Sequence, residues 1–243
     1  QLPFELTPGQ REVSSQIFDD LKSEHPMHRL LQGEVGSGKT IVALRAALNV
    51  IDAGAQVALL APTEVLAQQH HRTILKQLGA LATKGQLGAP EESIEIALLT
   101  GSMSASEKKE IQARCKDGQI DLVIGTHALL SDSVNFADLG LVIVDEQHRF
   151  GVEQRDALRA KAKTPPHLLV MTATPIPRTV AITVFGDLDI STLTELPLGR
   201  APIATHLVNA MTKPAFLERA WQRICEEVAA GHQAYVVAPR ISS

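Results

Sequence analysis

Short apolar runs alternate with helix-length stretches along most of this chain. Residues 29–32, 56–61, 94–100, 121–126, 140–145 and 167–172 are each a brief apolar run ending at a polar or small residue, the pattern of buried strands. Between them, residues 39–51, 64–78, 104–116 and 153–161 carry helical patterns, and the first of these is apolar nearly all round, as a buried helix is. Near the start, Thr7 is placed to cap a helix and Pro8 to begin it; Val13, Ile17 and Leu21 then form one buried stripe of a helix reaching about residue 22. Strands alternating with helices predict an α/β fold, a largely parallel sheet with helices on both faces. Ligands of such sheets gather at the carboxyl ends of the strands, which is where the polar motifs of this chain fall. Residues 80–93 lack periodicity and read as a surface loop.

After Thr174 the pattern changes. Residues 176–184 read as helical, 191–202 as an irregular stretch with two prolines, and 203–208 as one more strand. Leu217, Trp221, Ile224 and Val228 fall at helical spacing, Gly231 stops that helix, and residues 233–238 form an apolar run expected to be a buried strand. That strand has no helix after it to cover it. The expected organisation is a first domain over residues 1–208, followed over 209–243 by a linking helix and the first strand of a truncated second domain.

The bulk composition narrows the function. At 243 residues, 44% hydrophobic and 21% charged, the chain can bury a substantial core. No apolar run approaches the roughly 18 residues that span a membrane, and no charged-then-apolar leader opens the chain, so a cytoplasmic protein without a membrane partner is expected. Cys115 and Cys225 each lie on a predicted amphipathic helix and are read as buried thiols, not as a disulfide or metal site. A net charge of −4 argues against a generally basic surface, and 3% aromatics argue against a base-stacking platform. Any nucleic acid would be held mainly through its backbone.

The candidate chemistry starts at Gly33-Glu34-Val35-Gly36-Ser37-Gly38-Lys39-Thr40, which has the phosphate-loop spacing of Gly, four variable residues, then Gly-Lys-Thr. With glycine near 7% of average sequence, the bare pattern arises by chance in roughly one chain in a hundred of this length. Its glycines let successive N–H groups turn inward on a phosphate, Lys39 reaches the β and γ phosphates, and the Thr40 hydroxyl holds Mg²⁺. A second signal is the apolar run 142–144 ending in Asp145-Glu146-Gln147-His148. An acid at such a strand end, facing a phosphate loop, is the second metal anchor that nucleotide hydrolysis requires, so Asp145 is assigned to Mg²⁺, directly or through water. Glu146 is the candidate base for the attacking water. The cofactors expected are therefore ATP and Mg²⁺.

The phosphate loop and Asp145-Glu146-Gln147-His148 resemble motifs I and II of superfamily 2 helicases of the D-E-x-H type. The other motifs follow in order: Ala61-Pro62-Thr63-Glu64 resembles motif Ia, Thr100-Gly101-Ser102 motif Ib, Gly125-Thr126-His127 motif Ic and Thr172-Ala173-Thr174 motif III. The longer runs 145–152 and 171–179, and the 188–202 segment with Glu195-Leu196-Pro197, are similar to the RecG family of ATP-dependent DNA helicases. The resemblance covers essentially the whole chain. It implies a RecA-like P-loop fold and a motor that remodels branched DNA, such as stalled forks and Holliday junctions, in recombination and repair. It places DNA contacts at Thr63, Glu64, Gly101, Ser102, Thr126 and His127. His148, Thr172 and Thr174 would couple the nucleotide state to the DNA side and to a second RecA-like domain, although a capped core histidine is an alternative for His148. Gln10 resembles an adenine-reading glutamine, and Phe4 either stacks on the base or staples the first helix. Arg178 faces either phosphate or the partner domain.

A rival is a close relative of that family, the transcription-repair coupling factor, which typically has Glu where Gln147 stands. A further alternative is a nucleotide-gated DNA-binding module without turnover. Helicases of this class bring arginines from the second domain to complete the site. Residues 1–243 alone are therefore expected to bind nucleotide and to be nearly inactive; a monomer is also expected.

Overall fold

The computed structural model describes residues 5–84, 90, 93–145, 164–174, 188–195, 205–209, 212 and 214–237. The chain divides into two units, Gln1–Leu198 and Gly199–Ser243. In the first, strands β1 (His28–Gly33), β2 (Gln56–Leu60), β3 (Ile96–Leu99), β4 (Leu122–Gly125), β5 (Leu139–Asp145), β6 (His167–Thr172) and β7 (Asp189–Leu193) form one sheet in the order β3-β4-β2-β5-β6-β1-β7. Every pairing is parallel. Helices α1 (Pro8–Leu21), α2 (Lys39–Asp52), α3 (Glu64–Leu78) and α4 (Ala105–Lys116) precede or connect these strands.

Side chains alternate across the sheet with the period of two that a pleated strand imposes. Leu31, Val57, Leu59, Leu141, Ile143, Leu169 and Met171 join α1, α2 and α3 in one core. Their neighbours Leu30, Ala58, Leu60, Val142, Val144, Leu168 and Val170 join Cys115 of α4, Leu129 and Val134 in the other. Both faces are thus apolar, which is why the strands read as unbroken apolar runs. Burial pushes the Cys115 thiol up to about 11.

Two buried polar residues tie the layers. The Gln56 amide donates to the carbonyls of Cys115 and Ile120 at 3.0 and 2.7 Å and accepts from the N–H groups of Ala137 and Asp138 at 2.8 and 3.2 Å. Its four bonds use the full capacity of a side-chain amide, so its burial leaves no polar group stranded. Arg29 donates to Asp20 of α1 at 2.6 Å and to the Ser191 hydroxyl of β7 at 2.8 Å, and that hydroxyl donates to Gln16 at 2.7 Å.

Four expectations change. β7 lies partly inside the 191–202 stretch read as irregular: Asp-Ile-Ser-Thr-Leu is a sheet-edge strand with an exposed-to-buried alternation, not an apolar run. Residues 205–208, expected in a strand, have no regular structure, and neither do 233–237, which are exposed. A strand needs a neighbour to pair with, and these segments have none among the described residues. Cys225 is exposed rather than buried, because it lies on α5 (Pro214–Ala229), which has no buried residue. In this second unit Phe216, Trp221 and Val228 are all at least half exposed, while Arg219, Arg223, Glu226, Glu227 and His232 form an exposed ion-pair network. Among the described residues, no helix is long and apolar enough to cross a membrane. The predicted helices 153–161 and 176–184 and residues 203, 204 and 238 lie outside the described residues.

The His167 ring at the start of β6 accepts from the Met27 N–H through Nδ1 at 2.9 Å. Burial holds its pKa below the ordinary histidine value, with Asp20 opposing weakly. The unfolded chain therefore binds the proton more readily, and stability is complete above about pH 6.5 and falls as the pH drops below it. Urea denaturation between pH 7.5 and 5 should show this loss, and His167→Gln, which keeps an acceptor for Met27, should flatten it.

Candidate functional site

Because all seven strands run the same way, the segments that leave them gather on one edge. Along that edge, in sheet order, stand the loops after β3 (Thr100–Ser102), β4 (Thr126, His127), β2 (Thr63, Glu64), β5 (Asp145), β6 (Thr172, Thr174), β1 (the Gly33–Thr40 loop) and β7 (Glu195). Adjacent strands are about 4.8 Å apart, so the phosphate loop and Asp145, with β6 between them, are about 10 Å apart at their strand ends.

The loop itself is built by close approach. Gly36 and Gly38 have φ of 86° and 92°, a region in which a side chain is strained. A Cβ on Gly33 would lie 2.6 Å from the Ser37 hydroxyl, and one on Gly38 2.2 Å from Gln10 Nε2. The Lys39 ammonium donates to the carbonyls of Gly33 and Glu34 at 2.6 and 3.0 Å, across the loop. Ser37 is buried, and its hydroxyl has no hydrogen-bond partner among the described residues. Helices α1, α3 and α4 begin under side-chain caps from Thr7, Thr63 and Ser104, whereas α2 begins at Gly38 with none. No side-chain cap therefore competes with an anion at the start of α2. An uncapped helix start, an ammonium and a buried hydroxyl around one glycine loop form a donor set suited to phosphate. The Thr40 hydroxyl and the Asp145 carboxylate are oxygen ligands suited to Mg²⁺, which is usually held by few protein groups together with substrate phosphate.

Gln10 lies against this loop. Its Nε2 donates to the Ser37 carbonyl at 3.0 Å, while its Oε1 accepts from the Thr7 N–H at 3.1 Å and the Thr7 hydroxyl accepts from the Gln10 N–H at 3.2 Å. Glu195, after β7, accepts from the Thr7 hydroxyl and, at 3.1 Å, from the Gly9 N–H. Those two donors, Thr7 first, hold its carboxyl below the usual carboxylate range. Glu195 thus anchors the start of α1, and through Gln10 the phosphate loop.

At the other end of the edge, Glu64 accepts from the Ser102 N–H at 3.0 Å, and a Cβ on Gly101 would lie 2.9 Å from its Oε1. The Ser102 side chain, followed by the Ser102 and Gly101 amides, lowers its pKa. Glu64 therefore holds the Gly101–Ser102 turn, and Lys108 donates to the Gly101 carbonyl at 2.5 Å. The Thr63 hydroxyl caps α3 by accepting from the Leu66 N–H at 3.3 Å. Thr126 begins the short 3-10 turn that contains His127. At the end of β6, the Thr172 and Thr174 hydroxyls are 3.0 Å apart, and Thr172 is buried. Phe4, Glu146, His148 and Arg178 lie outside the described residues.

Two contacts escaped the sequence reading. Glu195 drew notice only as part of a segment, since its partner Thr7 is 188 residues away. His70, 2.6 Å from Asp145, looked like one polar residue in the run Gln-Gln-His-His.

The model of the DEAD/DEAH box helicase family matches residues 7–183, most of the chain. The chain belongs to that family. It is 65% identical over 243 residues to the ATP-dependent DNA helicase RecG of Mycobacterium bovis, covering 99% of this chain and 33% of that protein. It is 47% identical over 240 residues to the RecG of Synechocystis, covering 99% of this chain and 27% of the relative. The chain thus spans about a third of the M. bovis relative's length. A solved RecG bound to a three-way DNA junction superposes with a TM-score of 0.77 at 42% identity, covering 99% of this chain and 30% of that one. The helicase Mss116 bound to single-stranded RNA, at 19% identity and a TM-score of 0.56, covers 94% of this chain and 49% of its own and supports the fold alone. The seven-stranded parallel sheet is the RecA-like fold of these helicases.

Gln10→Glu keeps the acceptor for Thr7 but loses the donor to Ser37 and adds a negative charge beside the loop. ADP titration by calorimetry should show affinity at least about tenfold weaker, the equivalent of about 1.4 kcal/mol, with far-UV circular dichroism unchanged.

Proposed function

We propose that this chain is the first motor domain of a RecG-type DNA helicase, which uses Mg·ATP hydrolysis to remodel branched DNA in recombination and repair. The observation that carries the proposal is the common edge, which places a glycine loop with an uncapped helix start two strands from a carboxylate at the end of β5. In this reading the α2 amides and Lys39 hold the β and γ phosphates, and Gln10 meets the adenine beside the loop. Thr40 and Asp145 would hold Mg²⁺, which when bound would supply positive charge to offset that of the phosphate oxygens. Glu146 accepts a proton from the attacking water as that oxygen bonds to the γ phosphorus and the bond to the β–γ bridging oxygen breaks. Lys39 and the loop amides stabilise the charge that develops.

The other half of the edge is read as part of the DNA track. The amides and small side chains of Thr63, Gly101, Ser102, Thr126 and His127 suit contacts to phosphates, which fix position without reading sequence. Glu64 would serve there by holding the Gly101–Ser102 turn. Thr172, Thr174 and His148 would pass the nucleotide state toward a second RecA-like domain. The exposed apolar residues of α5 support reading residues 209–243 as the start of that domain. The 65% identity to RecG supports the branched-DNA role over the coupling-factor alternative, and the junction-bound RecG supports a DNA junction as substrate. A monomer acting in the cytoplasm fits this role.

One set of ATPase measurements tests the reading. In the intact protein, Glu146→Gln should abolish DNA-stimulated turnover and keep ATP binding; undiminished turnover would sink the assignment. Residues 1–243 alone should bind ATP but hydrolyse it about 10³- to 10⁵-fold more slowly, the typical worth of an arginine supplied from a second wall. Robust DNA-stimulated hydrolysis by these residues alone would contradict that view.

A further inference from the structure

Helix α3 meets the end of β5 through a polar contact. His70 Nε2 lies 2.6 Å from Asp145 Oδ2, and both side chains are only 13% exposed. His70 stands on the core-facing stripe of α3, three residues after Ala67 and four before Ile74, both buried. An apolar side chain would fill such a position without cost, whereas a polar one there requires a partner. An ionised carboxylate has only acceptor sites, so the ring nitrogen that faces it carries the proton and donates.

We propose that His70 is a positioning residue for the metal site: its N–H fixes Asp145 through Oδ2, so that the carboxylate meets Mg²⁺ or a metal-bound water in one orientation. The inference rests on the reading of Asp145 as a magnesium anchor. Carboxylates that hold metals are commonly fixed by a hydrogen bond of this kind, and losing that partner costs about 10- to 100-fold in metal affinity. Two properties make the contact suited to the task. The imidazole comes from a helix packed on the sheet rather than from a loop, so its position is set by the core. The mostly desolvated setting also strengthens the bond relative to one in water.

The test is a titration of MgCl₂ into the intact protein holding a non-hydrolysable ATP analogue, starting from EDTA, with the magnesium midpoint as the readout. His70→Ala and His70→Leu, the second keeping the stripe packed, should raise that midpoint about 10- to 100-fold. Their affinity for the analogue in EDTA should not change. His70→Gln, which carries an amide donor, should recover most of the loss. A midpoint unchanged in both donor-less variants while Asp145→Ala raises it would overturn the inference and leave the metal-anchor reading intact. If Asp145→Ala leaves the midpoint unmoved, the anchor reading itself fails and the inference with it. A defect shared equally by His70→Gln and His70→Leu would mean that the ring acts through packing, which also overturns it.

Discussion

Strand direction is the constraint on which everything else in the first unit depends. Seven parallel strands finish on the same edge of the sheet, so each strand must be followed by a crossover that carries the chain back over a face. Among the described residues the crossovers supply α2, α3 and α4, and helices packed on the sheet require its faces to be apolar. What remains polar is concentrated where strands end. The strand order then sorts that edge: the ends of β1, β6 and β5 are consecutive, and the ends of β2, β4 and β3 follow. At about 4.8 Å per strand, the phosphate loop is about 24 Å from the loop after β3, five strands away. The two halves of the edge are too far apart to share one small ligand, yet they belong to one rigid sheet.

Polar residues inside the unit hold the edge in shape. Gln56 satisfies four backbone groups from the segments around 115–120 and 137–138, which sets the entry to β4 and β5. Gly125 is fixed by crowding: a Cβ there would lie 2.2 Å from the Leu99 carbonyl of β3. This close approach joins the loops after β3 and β4, just as Glu64 joins the loop after β2 to the turn after β3. Three of the edge segments are therefore one connected piece.

Much of this was legible in the sequence because burial on two faces writes an unambiguous apolar run. The runs that became β1, β2, β4, β5 and β6 were placed to within about two residues, and α3 at the boundaries expected from its pattern. β7 was missed because an edge strand needs less apolar surface, and its buried Ser191 is satisfied by Arg29 and Gln16, which a local window cannot see. The exposed residues 233–237 show the converse: an apolar run is only a strand once something pairs with it. In the candidate site, the phosphate loop was readable because its glycines follow from local backbone geometry. The structural duties of Glu64, Glu195 and His70 were not, because each depends on a partner brought close only by the tertiary fold.

The ties that complete the β1–β7 end of the sheet join residues far apart in the chain. Glu195 reaches Thr7 across 188 residues, Ser191 reaches Gln16 across 175, and Arg29 reaches Ser191 across 162. Contacts at such separations carry the entropy cost of closing long loops and form late when a chain folds from its N-terminus. On a ribosome, β1 and its glycine loop would emerge before β7. β7, and the carboxylate of Glu195 that anchors α1 against the loop, would arrive about 150 residues later, so the β1–β7 end of this sheet would be the last part to set.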